Sequence, residues 1–473
     1  MPDHDGPGSA GTGLFGAVFA GGAAGAGDTA WLQAMLDAEA ALARALERAG
    51  LAPAGAGAAV TAAATADAFD TRELGEAATL TGNPVPGLAR ALARRVQGPA
   101  ARAVHRGATS QDILDTAAIL LARGAIDAAG ADLERAADAA ASLAATHRST
   151  LMIGRTLLQQ AVPVTFGLVA AGWLEGLDEA RAGLASVRAR RLAVQFGGAA
   201  GTLASLGADG PRVAALFAEE LGLGLPVLPW HTQRLRIIDI ATSMTRASAA
   251  LGKIARDVTL LAQTEVGEVR EGPDRAQGRA QGPGPRRGGS SAMPHKNNPV
   301  AAIAILACTR QVPGLLATLV ASAEQEHQRA AGAWHAEWLP FSDLLRLAGS
   351  AAAWGAELLS GLTVDTARMA ANLAAADGLP LAEHVTSLLA GVIGGAEAHD
   401  MVAGAAERAV SAGLPLRDVL LGLPELEQRL ASAGVTAEQI EAALDPAGYL
   451  GAADTFVSAV LDAHAAAAPR PPS

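Results

Sequence analysis

Of 473 residues, one is cysteine (Cys308), one is tyrosine (Tyr449), and only 3% are aromatic. A single cysteine excludes a disulfide framework and a cysteine-based zinc site, and fits a reducing compartment. With so few rings and half the residues hydrophobic, the core has to be built from small side chains on closely approaching helices. No run of basic residues occurs and the formal net charge is −11, which argues against a nucleic-acid partner. The start, "MPDHDGPGSAGTG", has neither a basic region nor an apolar stretch of the kind that directs secretion. The longest apolar runs, such as Ala161 to Leu174, fall short of the ~18–20 residues needed to span a bilayer. The sequence therefore reads as a soluble cytoplasmic protein with no membrane partner.

What the chain does have is helical periodicity. Asp28 to Arg48 reads as one helix capped by Asp28 or Thr29 and stopped by Gly50 and Pro53. Ile237, Ala241, Met244, Ala247, Leu251, Ile254, Val258 and Leu261 step by three or four residues through a stretch with no proline, as in a long bundle helix. Similar stretches run from Gln111 to His147, Val164 to about Val194, and Val300 to about Gln328. The expectation is an all-α protein: a disordered tail at 1–13, an N-terminal helical domain at 14–105, a central long-helix bundle at 106–360, a C-terminal helical domain at 361–464 and a second disordered tail at 465–473. Alanine-rich helices leave apolar stripes for neighbouring copies to cover, so an oligomer is expected.

Inside the bundle, 272–293 reads as a mobile loop: "GPDRAQGRAQGPGPRRGG" is too rich in Gly, Pro and charge to pack a core. It leads into Ser290, Ser291, Met293, His295 and Lys296, so it reads either as a plain linker or as a lid that carries reactive groups. Asn298 as N-cap and Pro299 as the first helical residue place that polar cluster at a helix N-terminus, where anions are favoured.

"GSSAMPHKNNP" at 289–299 resembles the signature loop of the fumarase/aspartase/adenylosuccinate lyase superfamily, whose members add to, or eliminate from, the carbon β to a carboxylate. "HRGATSQDILDTA" at 105–117 resembles the superfamily's Thr-Ser turn, and "GRTLLQQAVPVTFG" at 154–167 its Arg-Thr loop. The resemblance implies three loops meeting in one site assembled from three subunits of a homotetramer. "TGNPVPGL" at 81–88, with Asn83, "LPWHTQR" at 228–234, "EHQRAAGAWHAEW" at 326–338 and "RMAANL" at 368–373 are most similar to the superfamily's lactone-forming cycloisomerases. These close a tricarboxylate diene of aromatic degradation to a lactone and use no metal or other cofactor.

Where other branches place a histidine after the Arg-Thr pair, this chain has Leu157. Hydroxide or a nitrogen leaving group needs that acid, whereas a carboxylate, with a conjugate-acid pKa near ~4, does not. The resemblance thus implies Ser290 as proton donor, Lys296 and Asn298 around the charge-bearing carboxylate, and Thr109, Ser110, Gln111, Arg155, Gln159, Gln160, Arg234 and Arg329 around the rest of a small polycarboxylate. Leu235 and Asn297 stand where relatives more often carry charge.

Plainer readings compete. Thr109 and Asp112 form a capping-box variant, Arg234 and Arg329 suit structural ion pairs, His295 suits a loop filler, and His231 and His335, beside Trp230 and Trp334, suit packed histidines. A metal site on His335 and Glu337 is rejected, because two-residue spacing does not share a helical face. Competing functions are a lyase that releases a stable anion such as nitrite from a substituted succinate, a purine or argininosuccinate lyase, and a non-catalytic scaffold.

Overall fold

The structure, a computed structural model, describes residues 16–19, 26–272, 288–289, 293, 296–422, 424, 428 and 434–467. The tail at 1–13, most of the loop at 272–293, Ser290, Ser291 and His295 lie outside them. The described chain is helical apart from two short antiparallel ribbons. It divides into two compact units: residues 1–135, 179–255 and 301–357 in one, and 136–178, 256–300 and 358–473 in the other.

In the first unit, helix α1 (Asp28–Arg48) packs on α2 (Ala56–Ala63). Its apolar stripe, Leu32, Met35, Leu36, Leu42 and Leu46, is buried as the spacing predicts. The cap differs: Gly27 precedes the helix without a side-chain bond, and Asp28 lies in the first turn, where its charge meets the positive end of the dipole. Asp70 caps α3 (Thr71–Thr81) by accepting from the Arg72 and Glu73 amides. A turn through Gly82, at φ 75°, leads to α4 (Val85–Arg95).

The long helices are α5 (Ser110–Thr146), α6 (Phe166–Arg190), α8 (Leu235–Leu261), α9 (Val300–Ala321) and α10 (Ala333–Ser360), with the shorter α7 (Gly210–Leu221) packed on α1. All eight periodic residues of α8 are buried. The predicted small-residue seam is real: a Cβ at Gly355 would lie 2.3 Å from Leu251, and one at Gly252 would lie 3.2 Å from Thr309. These approaches let α8 pack tightly with few large side chains.

Two sequence boundaries shift. The segment before α6 pairs as a hairpin, β1 (Leu151–Thr156) with β2 (Gln159–Thr165). Pro163 in that apolar run disfavours helix, and the Thr165 hydroxyl accepts from the Leu168 amide at 3.1 Å, starting α6 at Phe166. Helix α9 ends at Ala321 rather than near Gln328, because the polar "SAEQEHQ" that follows has no apolar face to bury. Helix α9 also shows that counting uninterrupted apolar runs misses a case. Arg310 breaks the run, yet by length and composition the helix is apolar enough to cross a membrane, with a mean hydropathy of 1.6 and 33% of that window buried.

In the second unit, β3 (Val269–Glu271) pairs with β4 (Leu362–Val364), and α11 (Thr366–Ala374) packs beside β1. A separate core joins α12 (Ala382–Ile393), α13 (Gly395–Ala412), α14 (Leu416–Leu421) and α15 (Ala437–Ala443) through Val385, Leu389, Val402, Leu416 and Ile440. The last helix, α16 (Ala453–Ala467), continues past residue 464.

Candidate active site

The Thr-Ser turn opens α5. Thr109 and Ser110 are half-buried, while Gln111 and Asp112 are buried within the first turn. Asp112 closes the predicted capping box by accepting from the Thr109 amide at 3.0 Å, and it does more. Its two oxygens also accept from the amides of Gly197 (3.0 Å) and Gly198 (2.8 Å), from Gln195 Nε2 (3.2 Å) and from His231 Nε2 (2.7 Å). One fully buried carboxylate thereby fixes the turn, a glycine loop and the "LPWHTQR" segment in a single arrangement. His231 is a packed, hydrogen-bonded histidine.

One turn on, Asp115 anchors a second network. Arg234 Nη1 and Nη2 donate to its two oxygens at 2.7 and 3.0 Å, Trp334 Nε1 at 3.0 Å and Gln111 Nε2 at 3.0 Å. Arg234 also donates from Nε and Nη2 to Glu337, at 3.0 and 2.6 Å, and its remaining Nη1 hydrogen reaches the His231 carbonyl at 3.4 Å. A guanidinium has five N–H donors, and every one of them is occupied by protein. Arg234, 3% exposed and lying over the Trp230 ring at 4.9 Å, therefore has nothing left for a substrate. It is the core of a buried ion triad with Asp115 and Glu337. Asp115 and Glu337 hold its pKa above even the usual arginine value, so it stays charged, while burial raises Glu337 above its ordinary value against the pull of Arg234.

Arg329 belongs to the same neighbourhood. Its Nη1 donates to Gln111 Oε1 at 2.9 Å, and Nη2 donates to the Gly198 and Ala199 carbonyls at 3.0 and 2.7 Å. Gln111 thus links the Thr-Ser turn to Arg329 directly and to Arg234 through Asp115. His335 is exposed and stacks obliquely on Trp338 at 4.7 Å. Asn83 acts locally: its Oδ1 accepts from the Val85 amide at 3.1 Å at the start of α4.

Immediately before the turn, His105, at φ 57°, donates its amide to Glu39 Oε2 at 2.8 Å and sets Nδ1 2.6 Å from Oε1. Burial pulls the imidazole pKa down, but the hydrogen bond and charge of fully buried Glu39 outweigh it, and the net shift is upward. A pKa raised above the unfolded value near 6.5 gives stability that is complete below that value and is lost as pH rises through the folded one. Chemical denaturation across pH 6 to 9 should show that decline, and His105→Gln should flatten it.

The second unit holds the Arg-Thr loop. β1 and β2 are joined by Leu157 and Leu158 alone, at φ 51° and 65°. Both residues of such a tight hairpin need positive φ, a conformation that asparagine and glycine accept and leucine resists. The tip is also apolar and open, with Leu157 95% and Leu158 72% exposed. Gln159 and Gln160 are exposed beyond it, paired with Thr156 and Arg155 across the ribbon. Arg155 makes a two-pronged pair with Glu268, Nη1 to Oε2 at 2.9 Å and Nη2 to Oε1 at 2.8 Å, and Asn372 Nδ2 donates to the same Oε1 at 2.8 Å.

The signature loop is tied at its ends in this unit. Gly289 bridges Asn297, and Asn298 donates its amide (2.8 Å) and its Nδ2 (3.2 Å) to the Gly288 carbonyl. Asn298 is thus a clamp on the loop rather than the cap of α9, which starts at Val300, two residues on. Gly288, at φ 78°, is required, since a Cβ would lie 2.4 Å from the Asn298 carbonyl oxygen. Lys296 and Met293 are exposed within the clamped segment, and the Lys296 amide donates to the Met293 carbonyl at 3.0 Å. Leu235, at the start of α8, is exposed, as is Asn297.

Asp112, Asp115, Glu337, Glu268 and Asn372 were not singled out as site residues. The two aspartates carried a signal, acids on the most apolar face of a long helix, where only a paired acid survives. Trp334, which pairs with Asp115 from 219 residues away, lies beyond the reach of any local pattern.

A family model described as "Lyase" matches residues 27–314, and one described as "Adenylosuccinate lyase C-terminus" matches 378–460. The chain is 45% identical over 438 residues to a 3-carboxy-cis,cis-muconate cycloisomerase of Bradyrhizobium diazoefficiens, spanning 92% of this chain and 94% of the relative. It is 46% identical over 441 residues to a nitrosuccinate lyase of Streptomyces davaonensis, spanning 91% and 90%. The crystal structure of the 3-carboxy-cis,cis-muconate lactonizing enzyme from Pseudomonas putida superposes with a TM-score of 0.84 at 42% identity, covering 93% of this chain and 95% of that one. With matches over nearly its whole length, the chain belongs to the lyase family of the fumarase/aspartase/adenylosuccinate lyase superfamily, in the group that contains the 3-carboxy-cis,cis-muconate cycloisomerases.

Proposed function

We propose that the protein is a cycloisomerase that closes 3-carboxy-cis,cis-muconate to a carboxymuconolactone, a step in the protocatechuate branch of aromatic degradation. The observation that carries this reading is the hairpin tip: in a chain matched end to end by cycloisomerases, residues 156–165 contain no titratable side chain. A carboxylate oxygen adds across a double bond, the new C–O bond forms, and the neighbouring carbon takes up a proton. The nucleophile is an anion at neutral pH and needs no base, and in the reverse direction it leaves without an acid. Leu157 therefore costs this reaction nothing.

Ser290 delivers the proton to the carbanionic carbon. Lys296 and Asn298 hold the carboxylate that carries the charge, so that positive groups are in place before the charge develops. Arg155, Arg329, Thr109, Ser110 and Gln111 position the other carboxylates, with Gln159, Gln160, Ser291, Met293, His295 and Asn83 at the periphery. The clamp between Gly288 and Asn298 supports this role, because it fixes the base of the loop that bears Ser290. No cofactor is needed, and the setting is the cytoplasm.

The site is completed by other copies of the chain in a homotetramer. The apolar α9, with only a third of its apolar window buried and Ile303 50% and Val320 51% exposed, supports self-association, as does the open leucine tip. Light scattering should give four copies; a monomer would sink the shared-site reading.

The nitrosuccinate lyase relative favours a second reading, expulsion of nitrite from a substituted succinate, which also needs no acid. Ultraviolet loss of the conjugated diene on adding 3-carboxy-cis,cis-muconate should be rapid. Fumarate from nitrosuccinate, with no diene loss, would move the function to that lyase.

A further inference from the structure

We propose that Glu268 is the positioning residue for Arg155, turning one edge of its guanidinium outward as a two-pronged seat for a substrate carboxylate. The inference rests on the reading of Arg155 as a carboxylate binder and adds the residue that aims it. A guanidinium presents two paired edges, an end-on edge of Nη1 and Nη2 and a side-on edge of Nε and Nη2. Glu268 takes the end-on edge with near-equal bonds of 2.9 and 2.8 Å. Among the described residues, Nε and the second Nη2 hydrogen have no hydrogen-bond partner, and the Arg155 side chain is 24% exposed.

Glu268 is built to hold still. Its side chain is fully buried, and Asn372 donates to Oε1 at 2.8 Å while also donating to the Val266 carbonyl at 2.8 Å. Its backbone is tied on both sides, with its amide donating to the Leu261 carbonyl and its carbonyl accepting from the Asp365 amide, each at 2.9 Å. Arg234 supplies the contrast. It too is paired with a buried carboxylate in two-pronged fashion, but its side-on edge is filled by Glu337, whereas that of Arg155 is unfilled among the described residues. Because Glu268 neutralises most of the arginine's charge, the seat selects by geometry more than by attraction. It should favour a planar carboxylate over a compact anion such as chloride. A lysine at 155 could serve Glu268 or the ligand, not both edges.

The test is a double-mutant cycle of Arg155→Ala and Glu268→Gln, read as KM and kcat for diene loss and as calorimetric affinity for propane-1,2,3-tricarboxylate. Arg155→Ala should raise KM by about a hundredfold and Glu268→Gln by about tenfold, each with a much smaller change in kcat, as fits loss of charge-assisted hydrogen bonds. In the Arg155→Ala background, Glu268→Gln should add nothing. Should Glu268→Gln fail to fold, Asn372→Ala, which loosens Glu268 without removing its charge, should raise KM about threefold by the same coupling.

A Glu268→Gln penalty that persists undiminished without Arg155 would mean a merely structural role and overturn the proposal. So would an unchanged KM and tricarboxylate affinity in Glu268→Gln. If the protein turns over no diene but the cycle appears in tricarboxylate binding, the assigned reaction fails and the seat stands. If diene turnover is normal and the cycle is absent, the seat alone fails.

Discussion

Arg234→Met should destabilise the protein by about 3–5 kcal/mol, the cost of leaving buried carboxylates without their cation. Asp115 and Glu337 have side chains 2% and 5% exposed, and both look to the same guanidinium. Trp334, Gln111 and Gln325 would still donate to them, but neutral donors do not offset two charges out of water. The pH dependence identifies the cause. Burial already raises the Glu337 carboxyl above its ordinary value, and without the pull of Arg234 it rises further, so the variant is closest to wild type below the ordinary carboxylate range, near pH ~4, and falls furthest behind as pH rises through the raised value. Urea melts of both proteins from pH 4 to 8 give the comparison. A uniform deficit at every pH would mean that lost packing, not stranded charge, is the damage. If Arg234 were instead a substrate contact, the melts would coincide and only KM would move.

Ser290→Ala should do the opposite, taking activity and sparing stability. A positioned proton donor contributes on the order of 10²–10⁴ in rate, and diene loss should fall by that factor with KM little changed. The melting transition should stay in place, because removing one hydroxyl from a small side chain deletes little buried apolar area. Residual turnover should persist if, as proposed, Lys296 and Asn298 hold the charge-bearing carboxylate. A loss below tenfold would remove Ser290 from the proton transfer, and an exposed neighbour in the clamped segment would have to be sought by the same scan. Together the two variants separate what holds the site from what operates it.

The long helices were legible because their signal is local. In α8 every periodic residue from Ile237 to Leu261 is buried, and α1 spans the residues its pattern marks. The Gly-Ser-Ser and Lys-Asn-Asn loop was legible for a different reason: its composition makes no sense in a core. Where local signals compete, the boundaries moved. The apolar run beginning at Ala161 fits a buried strand as well as a helix, and only pairing of Gln159–Thr165 with Leu151–Thr156 decides for the hairpin.

The sequence by itself determined the helical class and the family, because periodicity and motif spacing are written within a few turns of chain. What each arginine is free to do was decided only by tertiary structure. Arg155 and Arg234 look alike in sequence, each an arginine in a polar motif, and both meet a buried carboxylate in two-pronged fashion. Among the described residues, Arg234 has a second carboxylate on its other edge and Arg155 does not. Hydrogen-bonding capacity is a count of donors against acceptors in three dimensions, and the acceptors, Asp115, Glu337 and Glu268, are brought in from more than a hundred residues away or from the far side of it.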